Sequence, residues 1–112
     1  MAAVPVLLAL VLALGGLHGV VSRGPTKPVC AAGESCTAPA PGAVMLFERA
    51  GARPVRVRAG AGGRYSVRLV PGVYLVRTAA PNPVGSGLHP RRVRVRAGTS
   101  VRLDFTIDTG IR

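Results

Sequence analysis

From Arg64 to Leu69 the chain alternates without a break: Tyr65, Val67 and Leu69 are apolar, while Arg64, Ser66 and Arg68 are polar or charged. A period of two places these sets on opposite sides of an extended chain, which predicts a strand with one dry and one wet face. Pro71-Gly72 interrupts the pattern with turn chemistry, since proline presets a negative φ and glycine accepts a positive one. Val73 to Arg77 then returns with Tyr74 and Val76 on one face, so the two runs predict consecutive antiparallel strands. The same alternation recurs elsewhere. Val55, Val57 and Ala59 are interleaved with Arg56 and Arg58; Val93, Val95 and Ala97 with Arg92, Arg94 and Arg96. Val101, Leu103, Phe105 and Ile107 are interleaved with Arg102, Asp104, Thr106 and Asp108. Val44 to Phe47 is instead continuously apolar, as expected of a central strand buried on both faces or of a crowded edge. With a first strand over Gly19 to Arg23, this makes seven short strands and nothing of helical period. The expectation is an all-β fold, a seven-stranded antiparallel sandwich of the prealbumin-like or Ig-like kind. Thr78 to Pro90, with three prolines and two glycines, is expected to be the longest loop.

The N-terminal end follows a different pattern. Residues 1–22 contain no Lys, Arg, Asp or Glu, and Val4 to Leu14 form one apolar run. That run has the length of a signal-peptide core and is short for a spanning helix, which needs about 20 residues. The expected organisation is a signal peptide over residues 1–18 and one domain over 19–112, secreted or at the cell surface. No transmembrane span is expected in the mature chain. No basic residue precedes the core, which leaves an uncleaved anchor or a misplaced start codon open. Ala13-Leu14-Gly15 and Val20-Val21-Ser22 both offer small residues where a signal peptidase reads. No cysteine ends the apolar run, so a lipid anchor is not expected.

The central motif, Gly63, Tyr65, Val67, Leu69, Pro71, Gly72, Tyr74 and Val76, resembles the signature of carboxypeptidase regulatory-like domains. Val93 to Gly98 and Val101 to Phe105 are similar to the closing strands of that family. Gly24 to Cys30 and Asp108 to Arg112 resemble the flanks of small secreted bacterial members. The resemblance covers roughly residues 19–112 and implies a prealbumin-like, carbohydrate-binding-like sandwich. It implies no activity, because such sandwiches host many roles. It also matches Gly19 to Arg23 to the family's first strand, so the mature chain is expected to begin between Gly16 and Val20.

Composition alters the picture in two respects. Two Phe, two Tyr and no Trp among 112 residues leave a core of Val, Leu and Ala, which a covalent link would help to hold. Cys30 and Cys36, an even pair at short spacing in an exported chain, are expected to form a disulfide. The second respect is charge. Fourteen Arg and one Lys against four acids give a net charge of +11. A GC-rich coding sequence accounts for such an arginine excess as well as function does.

Candidate chemistry is sparse. Asp108-Thr109-Gly110 is the triplet that carries an aspartic-protease carboxylate, but that chemistry needs a pair of carboxylates sharing a proton. His89 lies near Ser86 without a Gly-x-Ser-x-Gly elbow or an acid. Lys27 and Asn82, the sole Lys and Asn, are placed in loops rather than on the adjacent core strands that an isopeptide bond requires. Two cysteines without a nearby histidine do not make a metal site, and no cofactor is expected. The expected function is therefore a non-enzymatic module with a structural or interaction role. The alternative is a binder of envelope polyanions (anionic lipid, wall phosphate polymer or acidic glycan) through Arg92, Arg94, Arg96 and Arg102, since guanidinium forks suit phosphate and carboxylate. Both tyrosines point inward by the alternation, so neither sugar platforms nor base-stacking surfaces are evident, and no specific nucleic acid is expected.

Overall fold

The computed structural model describes residues 14–79 and 87–110. Most of the apolar run of the expected signal peptide, together with Asn82 and Ser86, lies outside the described residues. The strands are β1 (Gly15–Gly24), β2 (Ala38–Pro39), β3 (Val44–Glu48), β4 (Val55–Arg58), β5 (Arg64–Leu69), β6 (Gly72–Thr78), β7 (Leu88–His89), β8 (Arg92–Val95), β9 (Ser100–Arg102) and β10 (Phe105–Asp108). A short 3-10 turn, Ala61–Gly63, leads into β5. They form two sheets, and the all-β sandwich expected from the alternation is what the chain adopts. Among the described residues no helix is long and apolar enough to cross a membrane.

The first sheet has the order β4-β3-β6-β8 and is antiparallel throughout. β3 is central in it, as its apolar run predicts. Met45 and Phe47 are fully buried, and Val44 and Leu46 on the opposite face are half-buried.

The second sheet is built along β1. The first half of β1 lies between β5, antiparallel from Gly15 opposite Leu69 to Val20 opposite Arg64, and β9, parallel from Gly16 opposite Ser100 to His18 opposite Arg102. Its second half lies between β10, parallel from Val21 opposite Phe105 to Gly24 opposite Asp108, and β2, antiparallel. β7 adds beyond β10. Antiparallel pairing thus holds everywhere except where β1 meets β9 and β10. β1 also begins at Gly15, four residues before the expected first strand. It therefore runs through the expected domain boundary at residues 18 and 19, and Leu17, only 3% exposed, becomes a core residue.

The run from Val101 to Ile107, predicted as one strand, is two strands separated at Leu103-Asp104. Leu103 N–H still donates to His18 O at 2.8 Å. The next donor on β1, Val20 N–H, is met by the Asp104 side chain, Oδ1 at 2.9 Å, in place of a backbone carbonyl. A side-chain acceptor thus satisfies the Val20 N–H where the neighbouring chain steps aside. Val101, expected inward, is 48% exposed because β9 is a three-residue edge.

Between the sheets, the four aromatic residues form one column. Tyr74 packs on Phe47 with ring centroids 6.4 Å apart, Phe47 on Phe105 at 5.9 Å, and Phe105 on Tyr65 at 5.5 Å. The first two contacts are edge-on, the geometry that ring quadrupoles favour, worth about 0.5–1.5 kcal/mol per pair beyond burial. Both tyrosine hydroxyls find carbonyls, Tyr74 that of Val70 and Tyr65 that of Leu103. Burial, followed by the charge of Asp104, pushes the Tyr65 hydroxyl well above the usual tyrosine range.

Candidate functional site: two arginine-bearing faces

Of the groups that sequence alone offered for catalysis, Asp108 and Thr109 are tied into the fold. Asp108 ends β10, and its Oδ1 accepts the N–H of Gly110 at 2.9 Å, an ordinary aspartate turn. Thr109 donates its N–H to Gly24 O at 3.1 Å and its hydroxyl to Pro25 O at 2.6 Å, closing that end of β1. His89 is exposed on β7, opposite Thr106. Lys27 is exposed and ion-paired to Glu34 at 2.5 Å.

Glu34 belongs to the loop that the Cys30–Cys36 disulfide closes, with Cα atoms 6.2 Å apart. Its other oxygen accepts the N–H of Ala31 at 2.9 Å. Lys27 first, and the Ala31 N–H second, hold its carboxyl below the usual glutamate range. Among the described residues, Cys30, Glu34 and Cys36 form the one trio of ligand types close enough to share a metal ion. With the sulfurs bonded to each other, neither is a thiolate, and only the thiolate is a good metal ligand.

The eight arginines that alternation placed outward (Arg56, Arg58, Arg64, Arg68, Arg92, Arg94, Arg96 and Arg102) are all exposed. Strand pairing then divides them. Residues directly opposite on neighbouring strands share a face. On the outer face of the first sheet, Arg58 lies opposite Val44, and Leu46 lies between Arg56 and Arg77. Leu75 lies between Glu48 and Arg92, and Val73 opposite Arg94. The two central strands, β3 and β6, thus present Val44, Leu46, Val73 and Leu75 together with Glu48 and Arg77, and both edge strands present arginines. Val73 is 45% and Leu75 55% exposed. Glu48 is the one acid on this face, and Arg77 Nε is 2.6 Å from it.

The outer face of the second sheet differs. His18 lies between Ser66 and Arg102, with Arg68 opposite Gly16 and Arg64 opposite Val20. Arg102 Nε is 3.5 Å from Asp104. The Val20 N–H, with a smaller contribution from Arg102, holds the Asp104 carboxyl below the usual aspartate range.

The four arginines expected to form an anion site are therefore not one cluster. Arg92 and Arg94 stand together on the aliphatic face. Arg96 lies past the end of β8, where Thr99 donates to its carbonyl at 2.8 Å and turns the chain. It shares with Arg94 a cleft of about 340 Å³ that Gly16, Leu17, Val95, Thr99 and Val101 also line. Arg102 is on the opposite sheet beside an acid. What sequence reasoning missed is the company of Arg92 and Arg94, namely Arg56, Arg77, Leu46 and Leu75. Parity said which residues point outward, but not which strands are neighbours.

No protein-family model and no curated protein matches the chain. Solved structures do match it in fold. The minor pilin GBS52 of Streptococcus agalactiae is similar at 15% identity and TM-score 0.59, over 86% of this chain and 44% of that one. The Bacillus anthracis TIE protein is similar at 16% identity and TM-score 0.55, over 85% of this chain and 16% of that one. A DUF3823 family protein from Parabacteroides merdae is similar at 19% identity and TM-score 0.50, over 86% of this chain and 46% of that one. The chain spans less than half the length of each. At these identities the likeness is one of fold.

Proposed function

We propose that the chain is an exported, non-enzymatic β-sandwich of the carboxypeptidase regulatory-like kind, acting at the bacterial cell surface by contact rather than chemistry. One observation carries this. Each of its four acids is engaged in holding the fold: Glu34 with Lys27 and Ala31, Glu48 with Arg77, Asp104 with Val20, and Asp108 with Gly110. These contacts join each acid to a strand, turn or loop of the fold itself, which gives all four a structural role. The Cys30–Cys36 bond supports an oxidising compartment. A minor pilin among the similar folds supports a place at the surface. A second reading, a binder of envelope polyanions, is favoured by the arginine-edged face, where five arginines meet one acid.

The test is fractionation of cells expressing the full chain, with thiol alkylation before reduction. Recovery from the culture fluid or the envelope, with both cysteines protected from alkylation, is expected. A cytoplasmic protein with free thiols would overturn the proposal.

A further inference from the structure

We infer that the outer face of the β4-β3-β6-β8 sheet is a docking surface for an anionic lipid bilayer. This rests on the chain being an exported contact module and names the partner. The chemistry of the face selects the occupant. Its edges carry guanidinium groups, which donate hydrogen bonds and cannot accept them. Its two central strands carry Leu46, Val73 and Leu75, which neither donate nor accept, and also Glu48 and Arg77. The one acceptor side chain, Glu48, is already held by Arg77 at 2.6 Å.

The complement of such a face is rich in acceptors, negatively charged, and backed by hydrocarbon. A layer of anionic lipid has these properties together: phosphates for Arg92, Arg94 and Arg56, and acyl chains just beneath for Val73 and Leu75. A purely polar polyanion would leave Val73 and Leu75, 45% and 55% exposed, in water. The opposite sheet is the internal comparison. It also presents three arginines, Arg64, Arg68 and Arg102, among Ser66, His18 and Ser100, with the part-buried Val20 opposite Arg64 and Asp104 beside Arg102. The first face also carries more charge, five arginines to one acid against three to one, so exposed Val73 and Leu75 are what set a lipid apart from a polar polyanion there.

The experiment is co-sedimentation of the full mature chain with vesicles of phosphatidylglycerol in phosphatidylcholine, and with phosphatidylcholine alone, at about 0.15 M salt, where screening acts over about 8 Å. The unsubstituted protein is expected to pellet with the anionic vesicles only. Arg92→Ser with Arg94→Ser is expected to weaken that binding about tenfold or more, from the attraction of each basic residue to an anionic surface. Arg64→Ser with Arg68→Ser, an equal loss of charge on the other sheet, is expected to change it less than threefold by the same electrostatics, being a sheet's thickness further from the lipid.

Val73→Ser with Leu75→Ser is expected to weaken vesicle binding about tenfold while leaving retention on a soluble phosphate polymer unchanged. Leu75→Gln alone is the milder variant should the double one melt below the unsubstituted protein. Equal losses from the two arginine pairs would overturn the inference, because charge without a face would explain them. So would vesicle binding indifferent to Val73 and Leu75, which would mark a polyanion binder. Retention on cell envelopes with no affinity for either vesicle would overturn this inference and leave the contact module standing. A cytoplasmic protein would remove the module reading itself.

Discussion

Gly19 is the residue on which the second sheet turns. It lies where β1 leaves β9 and joins β10, with its α-carbon facing the step in the neighbouring chain. A Cβ there would run into the Leu103 carbonyl and stand 2.6 Å from the Asp104 carboxylate. Both are held in place, the first by the Tyr65 hydroxyl and the second by Val20 N–H. Gly19→Ala is therefore expected to destabilise the fold by about 3 kcal/mol, the upper range for overpacking, readable as a lowered urea midpoint with unchanged slope. Asp104 gives a second expectation, in pH. Its folded pKa lies below the usual aspartate value of 3.8, so its contribution is complete above that value and is lost as pH falls through the lower folded one. Glu34, also depressed, acts in the same sense. Thermal midpoints should fall below about pH 4, and Asp104→Asn should flatten that acid limb while lowering the plateau. An unchanged acid limb in the variant would contradict this.

At the scale of elements, the Cys30–Cys36 bond closes a loop of seven residues on the surface, beside Lys27 and Glu34 and away from the aromatic column. Loop closure of that length is worth about 2 kcal/mol. Replacing both cysteines with serine should lower stability by no more than that, by chemical denaturation, with the sheets intact by circular dichroism. The first strand gives the other expectation at this scale. Gly15 is the first residue of β1, and Leu17 fills the core. Of the mature starts between Gly16 and Val20, Gly16 alone keeps Leu17 and the 2.8 Å hydrogen bond from Gly16 N to Thr99 O while using the Ala13-Leu14-Gly15 site. The N-terminal peptide of the secreted protein, read by mass spectrometry, should begin at Gly16. A start at His18 or later would show that the strand is shorter in the exported form.

What the chain discloses about its own fold divides along the same line. Alternation is a local property, so β5, β6 and the inward set of Tyr65, Tyr74, Val93 and Phe105 could be read directly, whereas β8 stops at Val95, short of the expected Arg96 and Ala97. Pairing is not local. Nothing in Val101 to Ile107 says that its two halves both lie parallel to one distant strand, or that Asp104 will serve as a surrogate carbonyl between them. The start of β1 was obscured differently. Gly15, Gly16 and Leu17 continue an apolar run whose composition suits a leader as well as a strand, and only the partners at Leu69 and Ser100 distinguish the two. The arginine face was half legible for the same reason: outwardness is written in parity, adjacency only in topology.

For the whole molecule, the position of β1 has a consequence for how the sandwich comes into being. The strand nearest the N-terminus is flanked along its first half by residues 64–69 and 100–102, and along its second by residues 105–108. Contacts so far apart in sequence make a slow, late-closing topology. During synthesis or passage through a membrane, β1 precedes its partners and must wait with unsatisfied edges for residues 100–108. The β4-β3-β6-β8 sheet, whose strands end at Val95, can assemble in the meantime. A chain ending after Thr99 is expected to retain some sheet signal yet lose the cooperative transition of the full chain, because neither half of β1 then has its parallel partner. A sharp, full-amplitude unfolding curve for that truncation would show that β5 and β2 suffice. Otherwise β9 and β10 act as a latch, and completion of the sandwich waits for residues 100–108.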